Sequence, residues 1–329
     1  MSLSQRTFNY SLLGHALEAA RRMGILDELH RSRRVSVANL CQRERVEAGV
    51  VSALFRVLTA AEVMVPGDTP DEYAAGPELD DVYLRRGYLC WLNQGCGATL
   101  LSWAELAKIG AAERARHSRN GGAVALSSAV MGHSDVDPIT YPLIARMPFT
   151  AICDLGCGDA SRLINIVKAR ADIKGYGIDL NPQAIAAARA AVAEADLSDR
   201  ISIIGMNVNN LEPPAEAADC VELITMFFMG HDLWPEDNVV EVFTDIRRKF
   251  RACRRLLLAD VVTAAQLPLE ACPIFQLGVE AVHSILRQTL PQLEDWDRVF
   301  EKSGWTLNRR ITLQIPNTHL FELTPREHA

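Results

Sequence analysis

The sequence predicts an α/β fold: a Rossmann-like, mostly parallel sheet closed by an antiparallel last strand, preceded by an α-helical, winged-helix-like domain. Three observations predict it. Apolar strand patterns and amphipathic helix patterns alternate from residue 149 onward, as a parallel sheet covered on both faces requires. A glycine turn, Asp154-Leu155-Gly156-Cys157-Gly158-Asp159-Ala160, joins the first strand of that series to its first helix. The next strand, Tyr176-Gly177-Ile178-Asp179, ends in an acid. Strand, glycine turn, helix and acid-ended strand together make a nucleoside-cofactor site: the glycines admit a ligand to the backbone, and the carboxylate can chelate two ribose hydroxyls.

The elements follow in chain order. Leu12, Leu13, Ala16, Leu17, Ala20 and Met23 give residues 8–30 a helical period, broken at Gly24. Ser36 can cap a helix over 37–41, and 46–61 is a further helix. Residues 62–68 and 72–75 read as a short hairpin, so three helices precede a wing-like pair. Residues 88–108 read as mostly helical and carry Trp91 and Trp103, candidates for pocket lining or core. A polar loop over 113–122 holds Arg114, Arg116 and Arg119, read as a solvated charge run rather than a carboxylate site. His133, Asp135 and Asp137 read as a loop before a helix. Strands are predicted over 149–153, 174–179, 200–205, 219–225 and 254–262, with helices over 160–170, 182–195 and 235–252. A hairpin around Pro316-Asn317 ends the fold. The predicted domains are a dimerisation domain over 1–87, a helical linker and pocket-lining segment over 88–148, and a cofactor-binding catalytic domain over 149–329.

Composition narrows the function. A net charge of −7 argues against a nucleic-acid binder, whose affinity rests on Lys and Arg. Within the predicted helix over 46–61 Arg56 is the sole cation, so it is no basic recognition helix. No long apolar stretch is free of charge; residues 50–65 come closest, and Arg56 and Glu62 interrupt them, so no membrane span is expected. The eight cysteines form no CxxC pair and read as reduced thiols of a cytoplasmic protein. Cys153 and Cys157 read as small side chains filling the tight turn.

The turn departs from a dinucleotide fingerprint, because Ser161 stands where the third glycine belongs and Asp159 brings negative charge towards a diphosphate. A cationic sulfonium suits it better. The stretch resembles motif I of the class I S-adenosylmethionine-dependent methyltransferases, with Ala160 replacing the last glycine. The resemblance implies that Asp154, Gly156 and Gly158 form the methionine end of the site and that Asp179 takes the ribose. It implies Asn207 near the adenine amine, with a plain turn residue as the alternative, and Phe227 or Phe228 lining the cofactor, with core packing as the alternative. Ala19-Ala20-Arg21-Arg22-Met23-Gly24-Ile25-Leu26-Asp27, Leu54-Phe55-Arg56-Val57-Leu58 and Tyr73-Ala74-Ala75-Gly76-Pro77 resemble the dimerisation domain of small-molecule O-methyltransferases, which implies a homodimer.

Two histidines carry the expected chemistry. Gly230-His231-Asp232-Leu233-Trp234 resembles the segment in which those enzymes hold their general base. His283 lies on an apolar helix, in the segment that covers the substrate pocket in that family. Two neutral imidazoles facing one pocket could bind a first-row metal. With this pair the chain is similar to a narrower family, the metal-dependent 2-oxo-acid C-methyltransferases of peptide-antibiotic pathways. Their substrates are acids such as phenylpyruvate, 4-methyl-2-oxovalerate or 5-guanidino-2-oxopentanoate. That resemblance implies methylation at C3 of a 2-oxo acid through a metal-chelated enolate, towards a β-methyl amino acid. It implies His231 and His283 as ligands of iron, cobalt, nickel or zinc, with Met229 or a water as a further ligand, and Asp232 orienting His231 or helping in proton removal. The alternative is O-methylation with His231 as base, which leaves His283 without a role.

Overall fold

A computed structural model describes residues 1–110, 118–263 and 265–326. Arg114 and Arg116 of the expected loop therefore lie outside the described residues. The chain divides into two compact units, Met1–Ser134 and Asp135–Ala329, so the border falls inside the 88–148 segment.

In the first unit four helices, Leu3–Arg22, Ile25–Ser32, Val37–Glu44 and Ala48–Ala60, enclose a core around Leu17, Ile25, Leu29, Leu40, Phe55 and Leu58. Gly24 breaks the first two by adopting φ +68°, which glycine does at no steric cost. Ser36 accepts the N–H of Asn39 and caps the third. Strands β1 (Arg34–Ser36), β2 (Met64–Pro66) and β3 (Glu72–Ala75) form an antiparallel sheet in the order β1-β3-β2. The first of these was missed from sequence, being only three residues long with a single apolar residue, Val35. Trp91 is buried and Trp103 half-exposed. The expected loop at 133–137 is instead helical: His133 and Asp135 end the helix Gly121–Asp135, and Asp137 begins the helix Asp137–Ala145. Pro138 is tolerated there because the first N–H groups of a helix have no intrahelical partner to lose.

In the second unit β4 (Ala151–Leu155), β5 (Lys174–Asp179), β6 (Ile201–Gly205), β7 (Leu223–Phe227), β8 (Arg255–Val261), β9 (Trp305–Thr312) and β10 (Thr318–Pro325) form one sheet in the order β6-β5-β4-β7-β8-β10-β9. All pairs from β6 to β8 are parallel, and β10 runs antiparallel to both neighbours, as the terminal hairpin predicts. The strand expected over 219–225 begins instead at Leu223. Ala215–Cys220 forms a helix after Pro214, where alanines outweigh the apolar pattern. Trp296, Phe243, Phe300 and Phe321 pack as an aromatic core beneath the sheet's second half. No helix among the described residues is long and apolar enough to cross a membrane.

The chain winds outward from β4 to β6 and then returns to β7 on the other side of β4. That reversal opens a crevice at the carboxyl ends of β4 and β7, the switch point where open α/β sheets bind ligands.

Candidate active site

The glycine turn follows β4 into this crevice. Gly156 and Gly158 take φ +75° and +56°. The N–H groups of Gly156 and Cys157 donate to Ile178 O at 2.8 and 3.1 Å. A Cβ on Gly156 would lie 2.7 Å from Met229 Sδ, so the turn passes close under the segment that carries His231. Ala160 also takes φ +61°, a glycine-like conformation in an alanine. Asp179 braces the turn: Oδ2 accepts the N–H of Gly158 at 3.0 Å, and Oδ1 that of Asn181 at 2.8 Å.

Asp154 is buried beside Thr225, its register partner on β7, whose hydroxyl donates to it at 2.6 Å. Burial pushes its carboxyl pKa up, against the opposing pull of Arg162 and the Thr225 hydroxyl. A carboxyl whose folded pKa exceeds its unfolded value contributes stability that is complete at low pH and is lost as pH rises through the folded value. Asp154→Asn removes that loss. The variant should melt above wild type near about pH 8 and the gap should close towards about pH 4; a gap that is negative or flat across the range contradicts this.

Phe227 is buried at the end of β7, with the Arg162 guanidinium 4.4 Å above its ring. Arg162 also pairs with Asp137 at 3.1 Å and its charge acts on Asp154, a cation that spacing did not disclose. Asn207 caps its own turn, its oxygen accepting the N–H of Asn209 at 3.0 Å. The turn-residue alternative therefore describes its contact in the structure.

His231 lies on the turn Gly230–Leu233 just after β7, buried and held by a carboxylate that sequence reasoning missed. Asp260, fully buried at the end of β8, takes His231 Nδ1 on Oδ1 at 2.5 Å and the His231 backbone N–H on Oδ2 at 2.8 Å. This corrects the expectation that Asp232 orients His231. Asp232 reaches only the Nε2 side of the ring, at 3.9 Å, whereas the neighbouring parallel strand presents Asp260 directly to Nδ1. The signal was present: Asp260 is the one charge in the apolar run Leu256–Val262. Gly230 makes room for it, since a Cβ there would sit 2.5 Å from Asp260 Oδ2 and 2.9 Å from Trp296.

The structure brings His283 to His231. Their ring centroids are 5.0 Å apart at 75°. His283 Nδ1 faces the Val279 carbonyl at 2.7 Å, on its own helix Gln276–Ile285. Both contacts call for the proton on Nδ1, which in the neutral ring leaves the lone pair on Nε2. Asp232 lies beside them, Oδ1 3.9 Å from His231 Nε2 and accepting from Gln288 Nε2 at 2.8 Å. Among the described residues, ligand atoms of His231, Asp232 and His283 all fall within 4.8 Å of one another. Two imidazole nitrogens and a carboxylate oxygen are a donor set suited to a first-row metal. They equally offer proton acceptors beside a cofactor crevice.

Known proteins bear on this geometry. The family described as a methyltransferase domain matches residues 152–252. A methyltransferase of Aspergillus campestris, ungE', is 28% identical over 98% of this chain and 96% of its own. An indolepyruvate C-methyltransferase of Streptomyces griseus is 28% identical over 63% of this chain and 62% of its own. Together these likenesses support a class I S-adenosylmethionine-dependent methyltransferase. A solved structure of the mitomycin 7-O-methyltransferase MmcR shares the fold of this methyltransferase, with a TM-score of 0.67, 15% identity, and coverage of 98% of this chain and 96% of that one.

Proposed function

We propose that this methyltransferase transfers the S-adenosylmethionine methyl group to C3 of a 2-oxo acid at a metal-binding site formed by His231, His283 and Asp232. The observation that carries the reading is the convergence of the two imidazoles and the carboxylate beside the glycine turn. The relative that methylates indolepyruvate, itself a 2-oxo acid, supports it. Asp154, Gly156, Gly158, Asp179 and Phe227 border the cofactor in this reading, with Asn207 at its adenine end. The N-terminal unit acts as a dimerisation domain.

The chain's residues have defined tasks. Asp179 receives the ribose hydroxyls while its other contacts hold the glycine turn. Asp260 keeps His231 in the tautomer whose Nε2 lone pair faces the site, and the Val279 carbonyl does the same for His283. His231, His283 and Asp232 would hold a first-row metal, which would supply Lewis acidity that makes C3 of a 2-oxo acid easier to deprotonate. Asp232 would hold the metal through one carboxylate oxygen, leaving the other to accept the C3 proton. The remaining requirement is alignment of C3 with the sulfonium methyl in a site shielded from water.

The His231–Asp260 pair also favours a second reading, O-methylation with His231 Nε2 as general base. A panel assay separates the two. Labelled S-adenosylmethionine is supplied with indolepyruvate, phenylpyruvate, 4-methyl-2-oxovalerate and a set of phenols. The expected product is a 2-oxo acid bearing a new C3 methyl group, read by carbon NMR. Label appearing only on phenolic oxygen would falsify C-methylation.

A further inference from the structure

The helix that carries His283 ends in a way that fixes the residue beyond it. Arg287 takes φ +56°. Its N–H donates to Ser284 O at 3.1 Å, and the N–H of Gln288 donates to His283 O at 2.9 Å. These are the two bonds of a Schellman ending, with a left-handed residue between the helix and the departing chain. That residue is usually glycine. An arginine holds the conformation only where its surroundings over-determine it. Gln288 therefore leaves the helix in a fixed direction, and its backbone is tied to His283 itself.

Its side chain reaches the other histidine's turn. Gln288 Nε2 donates to Asp232 Oδ1 at 2.8 Å. A carboxylate only accepts, so the amide must present its nitrogen and not its oxygen. Asp232 is 42% exposed and stands on a short turn, where an untethered carboxylate samples several rotamers. The oxygen that Gln288 holds is the one 3.9 Å from His231 Nε2. One residue thus links His283, by backbone, to Asp232, by side chain.

We propose that Gln288 is a positioning residue that holds the Asp232 carboxylate against the two histidines and so completes their donor set. The inference rests on the metal reading and deepens it: Asp232 is the third ligand because Gln288 keeps it there.

A double-mutant cycle at neutral pH tests the contact. Gln288→Glu turns an acceptor towards Asp232 and should lower Tm by several degrees. The swap Asp232→Asn with Gln288→Glu restores a donor–acceptor pair in reverse, and should recover most of that loss. Strictly additive Tm changes overturn the proposal. Cobalt(II) absorption titrations test its consequence. Gln288→Met, which keeps the length and loses the donor, should weaken cobalt binding roughly tenfold, as loss of a group that orients a ligand does. Asp232→Asn should weaken it at least as much, and the two changes together no further. Unchanged affinity in Gln288→Met overturns the proposal. A wild type that takes up no cobalt overturns the metal reading and the ligand role with it, while the Tm cycle still reads the Gln288–Asp232 bond itself.

Discussion

Asp260→Asn should lower methyl transfer by on the order of a hundredfold or more, whichever nucleophile is methylated. Asp260 accepts three N–H groups: His231 Nδ1 and the Val261 backbone on Oδ1, and the His231 backbone on Oδ2. Asparagine has a single acceptor oxygen. In one orientation its amide nitrogen opposes the His231 backbone N–H, leaving buried donors face to face at a cost of about 1–3 kcal/mol. In the other it donates to His231 Nδ1, which moves the imidazole proton to Nε2 and removes the lone pair from the site. Steady-state kcat/KM and Tm measured together read both effects. A variant within about threefold of wild type in activity would mean that the Asp260 contact does not set the His231 tautomer.

His283→Ala has the second large expected effect, and it divides the two chemistries. If the imidazole pair holds a metal, removing one nitrogen ligand should abolish high-affinity metal binding and lower C-methylation by on the order of a thousandfold, since one of two imidazole donors is gone. If His231 acts alone as a base for a phenol, the same change should cost little beyond packing. His283 is buried on the helix Gln276–Ile285, so truncation also leaves a cavity, and a Tm loss worth about 1–3 kcal/mol is expected under both. His283→Gln fills most of that volume without restoring an imidazole and separates packing from ligation. Activity that recovers in His283→Gln but not in His283→Ala would assign His283 to packing.

The parts of the site legible in the sequence are those fixed by one element and its period. Asp179 could be read because an acid closing an apolar strand must sit at the ligand end of a parallel sheet. Gly156 and Gly158 could be read because their spacing marks a tight strand-to-helix turn. His231 and His283 were legible through their resemblance to known segments, and the structure brings their rings together. What escaped depends on neighbours. Asp260 meets His231 only because β8 lies beside β7, a fact of sheet order rather than of spacing. Arg162 meets Phe227 and Asp137 across three separate segments. Gln288 was hidden because its helix ends on Arg287, where a glycine would have signalled the turn. The strand at Leu223 was displaced because alanine-rich sequence after Pro214 reads equally as strand edge or helix, and tertiary context chose helix. The cofactor domain's parallel strands followed from alternation, but their order and the contacts between them did not.

The most direct test of metal-assisted C-methylation is methyl transfer to a 2-oxo acid by wild-type protein stripped with a chelator, before and after a single first-row metal is restored. His283→Ala is run in parallel. The expected result is a loss of at least about a hundredfold on stripping, recovery with one or more of iron, cobalt, nickel or zinc, and no recovery in His283→Ala. Full activity in metal-free wild type, unaffected by His283→Ala, would contradict the account and leave His231, held by Asp260, as a metal-independent base.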